Sequence, residues 1–170
     1  MSTIKPAYQT QKYESKYQSN PVYCGRTDKP WLTEGYYFWH GFIELAHWWG
    51  RDVRKYHKYC IFESEIEYND DNFLDLVGNV DDIKAFKLTY DELREKRPDE
   101  EFTVPQVLKF MLKISPEIKV IRAKSQHQIG SDSRLAFVET DRSFMEVLPP
   151  IQVCVTDNKL IKKFDKVFTS

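Results

Sequence analysis

The run Leu32 to Gly50, LTEGYYFWHGFIELAHWWG, holds seven aromatic residues and two histidines. Aromatic rings do two jobs: they fill core volume, and their faces hold planar ligands. Gly35 allows a ligand to approach the backbone closely. Alternation along a strand then sends Tyr36 and Tyr37 to opposite faces, so that one is buried while the other lines a pocket. Cys24 and Arg26 lie two residues apart and share a face if their strand continues. His40, His47, His57 and Cys60 are metal-ligand types, yet their spacing fits no common zinc site, so no metal is expected. The lysines of KLIKKFDK read as a solvated face rather than a nucleic-acid contact. The P-loop, GxGxxG, HExxH and GxSxG patterns are all absent from the sequence, which removes the commonest alternative enzymes.

Composition narrows the classes further. With 170 residues the chain fits one domain, and 41% hydrophobic residues suffice for a single core. The 25 Lys and Arg are interleaved with 26 Asp and Glu, so bulk charge supports neither a nucleic-acid nor a membrane surface. Three widely spaced cysteines, and the lack of an apolar stretch after Met1, argue against a secreted disulfide scaffold and for a reducing, cytoplasmic setting. No apolar run approaches the roughly 18 residues of a membrane span, so the chain is expected to be soluble.

The elements that must position these groups follow from hydrophobic period. Residues 1–20 are polar and lack either period, which predicts an extended arm outside the core, with residues 21–170 forming one domain. PVYCG reads as a short buried strand, RTDKPWLTEG as a loop and YYFWH as a second strand. From Phe42 the spacing of Phe42, Leu45, Ala46 and Trp49 predicts a helix stopped or kinked at Gly50. KYCIFESEIEY alternates as a strand with one partly wet face. Ile83, Phe86, Tyr90 and Leu93 mark a second helix ended by Pro98, and Val107, Leu108, Met111 and Leu112 a third with Pro105 in its first turn. IKVIRA, RLAFVE and PIQVCVT read as strands, and the chain closes with a helical turn and a last strand. This order predicts an α+β fold with a largely antiparallel sheet.

VYCGR, then GYYFWHGFIELAHWWG, YCIFESEIEYNDDNFLDLVGN and finally PIQVCVTDNKLIKKF occur in an order that resembles a bacterial group of the ADP-ribosyltransferase superfamily. That group shows a Tyr-His-Gly-Thr strand, a Gly-x-Tyr-Phe-Trp-Glu strand feeding an Ala-x-x-Trp/Tyr-Ala helix, and a late His-Ile-Gln-Ile strand. The likeness spans roughly residues 21 to 168. It implies a split antiparallel β-sandwich with flanking helices, NAD as substrate without a metal, and transfer of ADP-ribose to a macromolecular acceptor, protein or nucleic acid. It also implies a toxin or defence role with an antitoxin or other partner protein. Tyr37 would stack on nicotinamide and Gln152 would orient the ribose. Tyr23, Cys24, Gly25, Arg26 and Tyr36 would complete the NAD-binding set, with Arg26 on phosphate or ribose. Three residues depart from the pattern: Cys24 stands in place of His or Arg, His40 in place of the glutamate after the Tyr-Phe-Trp, and Pro150 in place of the late histidine. Gln152 brings no negative charge to a developing oxocarbenium ion, so a carboxylate is required from Glu63, Glu65, Glu139 or Glu146. The loops Arg26 to Glu34 and Ala123 to Ser133 are candidates for acceptor choice. The alternative is a non-catalytic interaction module on the same scaffold, and a third reading is NAD hydrolysis without an acceptor.

Overall fold

The computed structural model describes residues 1–14, 19–127, 133–136 and 144–170. Its main sheet has eight strands. Seven run in the spatial order β10 (Ile161–Thr169), β4 (Tyr59–Tyr68), β1 (Ser2–Lys12), β3 (Gly35–His40), β9 (Ile151–Val155), β6 (Val120–Lys124) and β5 (Phe73–Asp75), and the two-residue β2 (Tyr23–Cys24) also pairs with β3. β5 and β6 pair in parallel, and every other described pairing is antiparallel. A separate hairpin joins β7 (Arg134–Ala136) to β8 (Phe144–Glu146). With α1 (Ile43–Trp48), α2 (Val80–Lys96) and α3 (Val104–Ile114) the architecture is α+β, as expected. Among the described residues no helix is long and apolar enough to cross a membrane.

The expectation of an arm over residues 1–20 is overturned for β1, a strand inside the sheet that pairs with β4 on one side and β3 on the other. Ile4, Ala7 and Tyr8 are buried, and so are Gln9 and Gln11. The glutamines hid the strand because their carboxamides find partners inside the fold: Gln11 Nε2 donates to Gln9 Oε1 and the Asn20 carbonyl, its own Oε1 lacking a partner among the described residues, and Gln9 is fully paired. Gln9 Nε2 donates to the carbonyls of Val22 and Tyr37, while its Oε1 accepts from Val22 N and Gln11 Nε2. A polar side chain whose groups are paired this way sits in a core without the cost of lost hydration. Residues 15–18 of that stretch lie outside the described set, as do 137–139 of the predicted strand RLAFVE.

Sheet register divides the core in two. One face carries Phe38, Val153 and Val155 against Ile4, Ile66 and Val120. The other carries Trp39 under α1, with Leu45 and Ala46, and then Cys154, Ile121 and Leu74 under Leu32 of the loop before β3 and Leu108 of α3. β4 is buried on both faces where Cys60, Ile61 and Phe62 succeed one another, so its expected wet face is confined to Glu63, Glu65 and Glu67. Side-chain caps set the helix starts: Asn79 Oδ1 accepts from the amides of Asp81 and Asp82 at the head of α2, and Thr103 and Gln106 form a capping box at α3, with Pro105 in its first turn as expected. The α-helix ends at Trp48, just before Gly50, and the chain widens into a π-turn over Trp49–Val53. A Cβ at Gly50 would fall 2.9 Å from the Tyr59 ring and the Thr10 methyl, so only glycine fits there.

Candidate functional site

Pairing register assigns each predicted site residue to a face. Cys24 pairs with Gly35, Tyr37 with Cys154, and Trp39 with Gln152. Directly paired residues share a face, as do residues two apart. Cys24, Tyr37 and Gln152 therefore stand on one face of the contiguous strands β2, β3 and β9. Tyr23 and Tyr36 stand on the other, ring to ring at 5.2 Å and edge-on, beside a shallow polar pocket of about 480 Å³ with Lys119, Thr156, Asp157 and Asn158. The expected NAD-binding set is thus divided between the two faces. Gly25 caps a 3₁₀ turn that begins at Arg26, and its amide donates to Asp28 Oδ2; Arg26 is exposed.

A loop lies over the face that holds Tyr37 and Gln152. Pro30 leads into Trp31, whose indole N–H donates to Gln152 Oε1 at 2.6 Å. Leu32 is fully buried beneath it. The Tyr37 hydroxyl reaches into the same loop, accepting from the amides of Leu32 and Thr33, both at 3.1 Å, and donating to the Thr33 carbonyl at 2.7 Å. Burial, reinforced by the nearby Cys154, raises the Tyr37 phenol well above its ordinary pKa. Cys154 is fully buried and its thiol is pushed up to about 12 by that burial. Burial also raises the half-buried Cys24 thiol, with Asp28 adding to the effect. Neither cysteine is a thiolate near neutral pH, so neither is an activated nucleophile. Gly35 is indispensable here for steric reasons: a Cβ would lie 2.7 Å from the Val155 carbonyl oxygen and 2.8 Å from Cys154 Sγ.

Beside this latched loop opens a cleft of about 730 Å³, of the size that takes a ligand. Trp31 and Leu32 form one wall, Ile83 and Phe86 of α2 and Val104 and Pro105 of α3 a second. The third wall is the unbroken run Ala123 to His127. Among the described residues its lining contains no carboxylate. Lys124 of that lining is paired with Glu146, which leaves that glutamate serving the rim rather than a reaction centre. Ser125 Oγ and His127 Nδ1 lie 3.1 Å apart, and the His127 ring is held edge-on against Trp48 and Trp49.

The remaining candidates are engaged elsewhere. Glu65 pairs with Lys163 and Glu67 with Lys162, so lysines of the KLIKKFDK cluster brace β10 on β4. Glu63 is exposed and faces the Tyr8 side; Glu139 lies outside the described residues, as do 128–132 of the second candidate acceptor loop. His40 is kept neutral by burial and by Arg122. His47 Nδ1 lies 3.0 Å from the Tyr59 hydroxyl. Among the described residues no group of three or more metal-ligating side chains converges. Burial alone would raise the Asp75 carboxyl, but its two bonds from Arg122 and those from the amides of Val77 and Gly78 hold it below the ordinary range.

Sequence reasoning missed Trp31 and the helix side chains of the cleft. Ile83 and Phe86 were legible as an apolar stripe, but period alone does not separate a stripe that faces a core from one that faces a gap. Trp31 gave one signal, an aromatic between proline and the buried Leu32. No protein-family model, curated protein or solved structure matches this chain.

Proposed function

We propose that this chain is a non-catalytic interaction module whose cleft beside Trp31 receives part of a macromolecular partner. The observation that carries this reading is the latched loop. The two side chains that an NAD reaction would use, Tyr37 and Gln152, are both hydrogen-bonded to residues 31–33, and Leu32 is buried below them. Glycosyl transfer requires preorganised charge where the oxocarbenium ion develops. Among the described residues the cleft offers a largely apolar lining without a carboxylate, which suits burial of a partner's apolar side chains.

A second reading is supported by one specific observation, the shared face of Cys24, Tyr37 and Gln152. In it the chain is a divergent ADP-ribosyltransferase with that superfamily's split sandwich. The Trp31 loop then leaves to admit NAD, and ADP-ribose passes to a macromolecule. Calorimetric titration with NAD, together with an assay for released nicotinamide, separates the two. The module reading expects no saturable binding at millimolar NAD and no nicotinamide. Saturable binding abolished by Gln152→Ala in a folded protein would overturn it in favour of the transferase.

A further inference from the structure

The cleft's third wall is formed by five consecutive residues, Ala123 to His127. Only Ala123 and Lys124 of this run belong to β6; Ser125 to His127 continue the chain past the strand's end, so the wall holds the end of β6 and the segment that extends it. Among the described residues, pairing leaves one edge at the end of β6 without a strand partner. β6 is hydrogen-bonded to β9 on one side as far as Lys124, with Ser125 N donating to the Pro150 carbonyl just beyond. On its other side it pairs with β5 only through Arg122, and Leu76 N makes the last contact, to the Arg122 carbonyl. The chain is then turned away by Asp75, whose carboxylate accepts from the amides of Val77 and Gly78 while gripping Arg122. Backbone groups alternate between the two sides of a strand, and Ser125 N faces β9, so those of Lys124, the last residue of β6, face the side that β5 has vacated.

An open strand edge beside an apolar slot has one natural occupant, because main-chain donors and acceptors demand another extended main chain. Resting on the interaction-module reading, we infer that the cleft binds an extended peptide segment of the partner, which prolongs the line of β5 by adding a strand to the end of β6 at Lys124. Its alternate side chains enter the cleft and are apolar, meeting Ile83, Phe86 and Trp31. The intervening ones face solvent. A helical segment would satisfy its own backbone and leave the edge groups of β6 uncapped. A small planar ligand would fill the slot but leave the same groups unpaired.

The test is selection of linear peptides from a random phage-displayed library against the whole 170-residue chain, followed by titration of the winners as free peptides. Ile83→Asp is the blocking variant, since Ile83 is 41% exposed and its replacement leaves the core intact. The winners should share apolar residues at every second position and lose at least about tenfold in affinity to Ile83→Asp. N-methylation of the peptide should abolish binding at alternate residues and be tolerated at those between. Binding should also slow hydrogen exchange at the Lys124 amide. Peptides that bind in an Ile83-dependent way but tolerate N-methylation throughout would overturn strand addition and leave the module reading standing. Selection that yields no Ile83-dependent peptide would overturn the peptide occupant, while the NAD titration independently decides the module reading.

Discussion

Replacing Tyr37 by phenylalanine removes one oxygen and, on the geometry described, three hydrogen bonds at once. The hydroxyl accepts from Leu32 N and Thr33 N and donates to Thr33 O. A net contribution of about 0.5–1.5 kcal/mol per bond, raised where a buried donor is left unpaired, gives a loss of about 2–4 kcal/mol. The loss stays below the upper sum because Thr33 is only partly buried and water reaches it once the loop loosens. Urea unfolding should show a lower midpoint with an unchanged slope, since neither the native nor the denatured surface alters much. Amide exchange at Leu32 and Thr33 should accelerate more than exchange in β3 itself. Were Tyr37 instead a platform for a planar ligand, phenylalanine would keep the ring face and the loop would not notice. A stability change under about 0.5 kcal/mol, within the range of ordinary surface substitutions, with Leu32 and Thr33 exchange as in the wild type, would refute the latch.

Other expectations follow from single contacts. Gly35→Ala places a methyl 2.7 Å from a backbone oxygen that cannot rotate away, and should cost about 1–3 kcal/mol in thermal or urea unfolding; a neutral result would mean that β3 and β9 separate freely. The Cys154 thiol is raised in the fold, so its stabilisation is complete below the unfolded pKa near 9.0 and is lost as pH rises towards about 12. Stability should therefore fall above pH 9 by about 1.4 kcal/mol per unit from this group, and Cys154→Ala should flatten that limb. Disulfide-exchange reagents at pH 8 should leave Cys154 unlabelled in the native state and label it in urea. Arg122→Met strands a largely buried carboxylate at Asp75 and should cost about 3 kcal/mol, partly restored by Asp75→Asn in the same chain. Asp75 has a lowered pKa, so the pair's stabilisation is present above the ordinary carboxylate range and is lost as pH falls through it, a loss that Asp75→Asn should remove.

The sequence was most legible where one physical signal acted alone. α2 and α3 each carried a 3.6-residue stripe, bounded by Pro98 after the first and with Pro105 in the first turn of the second, and both helices are found there. β3 and β9 were visible as dense β-branched and aromatic runs. β1 was not, because Gln9 and Gln11 look solvent-facing until the carbonyls and amides of Asn20, Val22 and Tyr37 are placed around them. Tyr37 and Gln152 were chosen as site residues and do share a face, but their partners come from a loop whose return over the sheet no local period encodes. Tyr36 illustrates the limit: alternation separates it from Tyr37, yet which of the two faces a pocket depends on strands far along the chain. The cleft combines α2, α3, β6 and the Trp31 loop, four segments that become neighbours only through the sheet order.

The sheet order also governs how the molecule can be made. β1 pairs with β4 and β3, and β4 has its outer edge closed only by β10. β1 and β4 both precede β10 in the chain, so a β1–β4 ribbon formed before β10 would leave a bare edge along Ile61, Phe62, Ser64 and Ile66. Non-local pairings of this kind form slowly. The alternating glutamates of β4 keep that waiting edge from adhering to others of its kind. With β10 in place, Glu65 and Glu67 of that set hold Lys163 and Lys162, so charges suited to guarding a strand edge also fasten the strand that closes it.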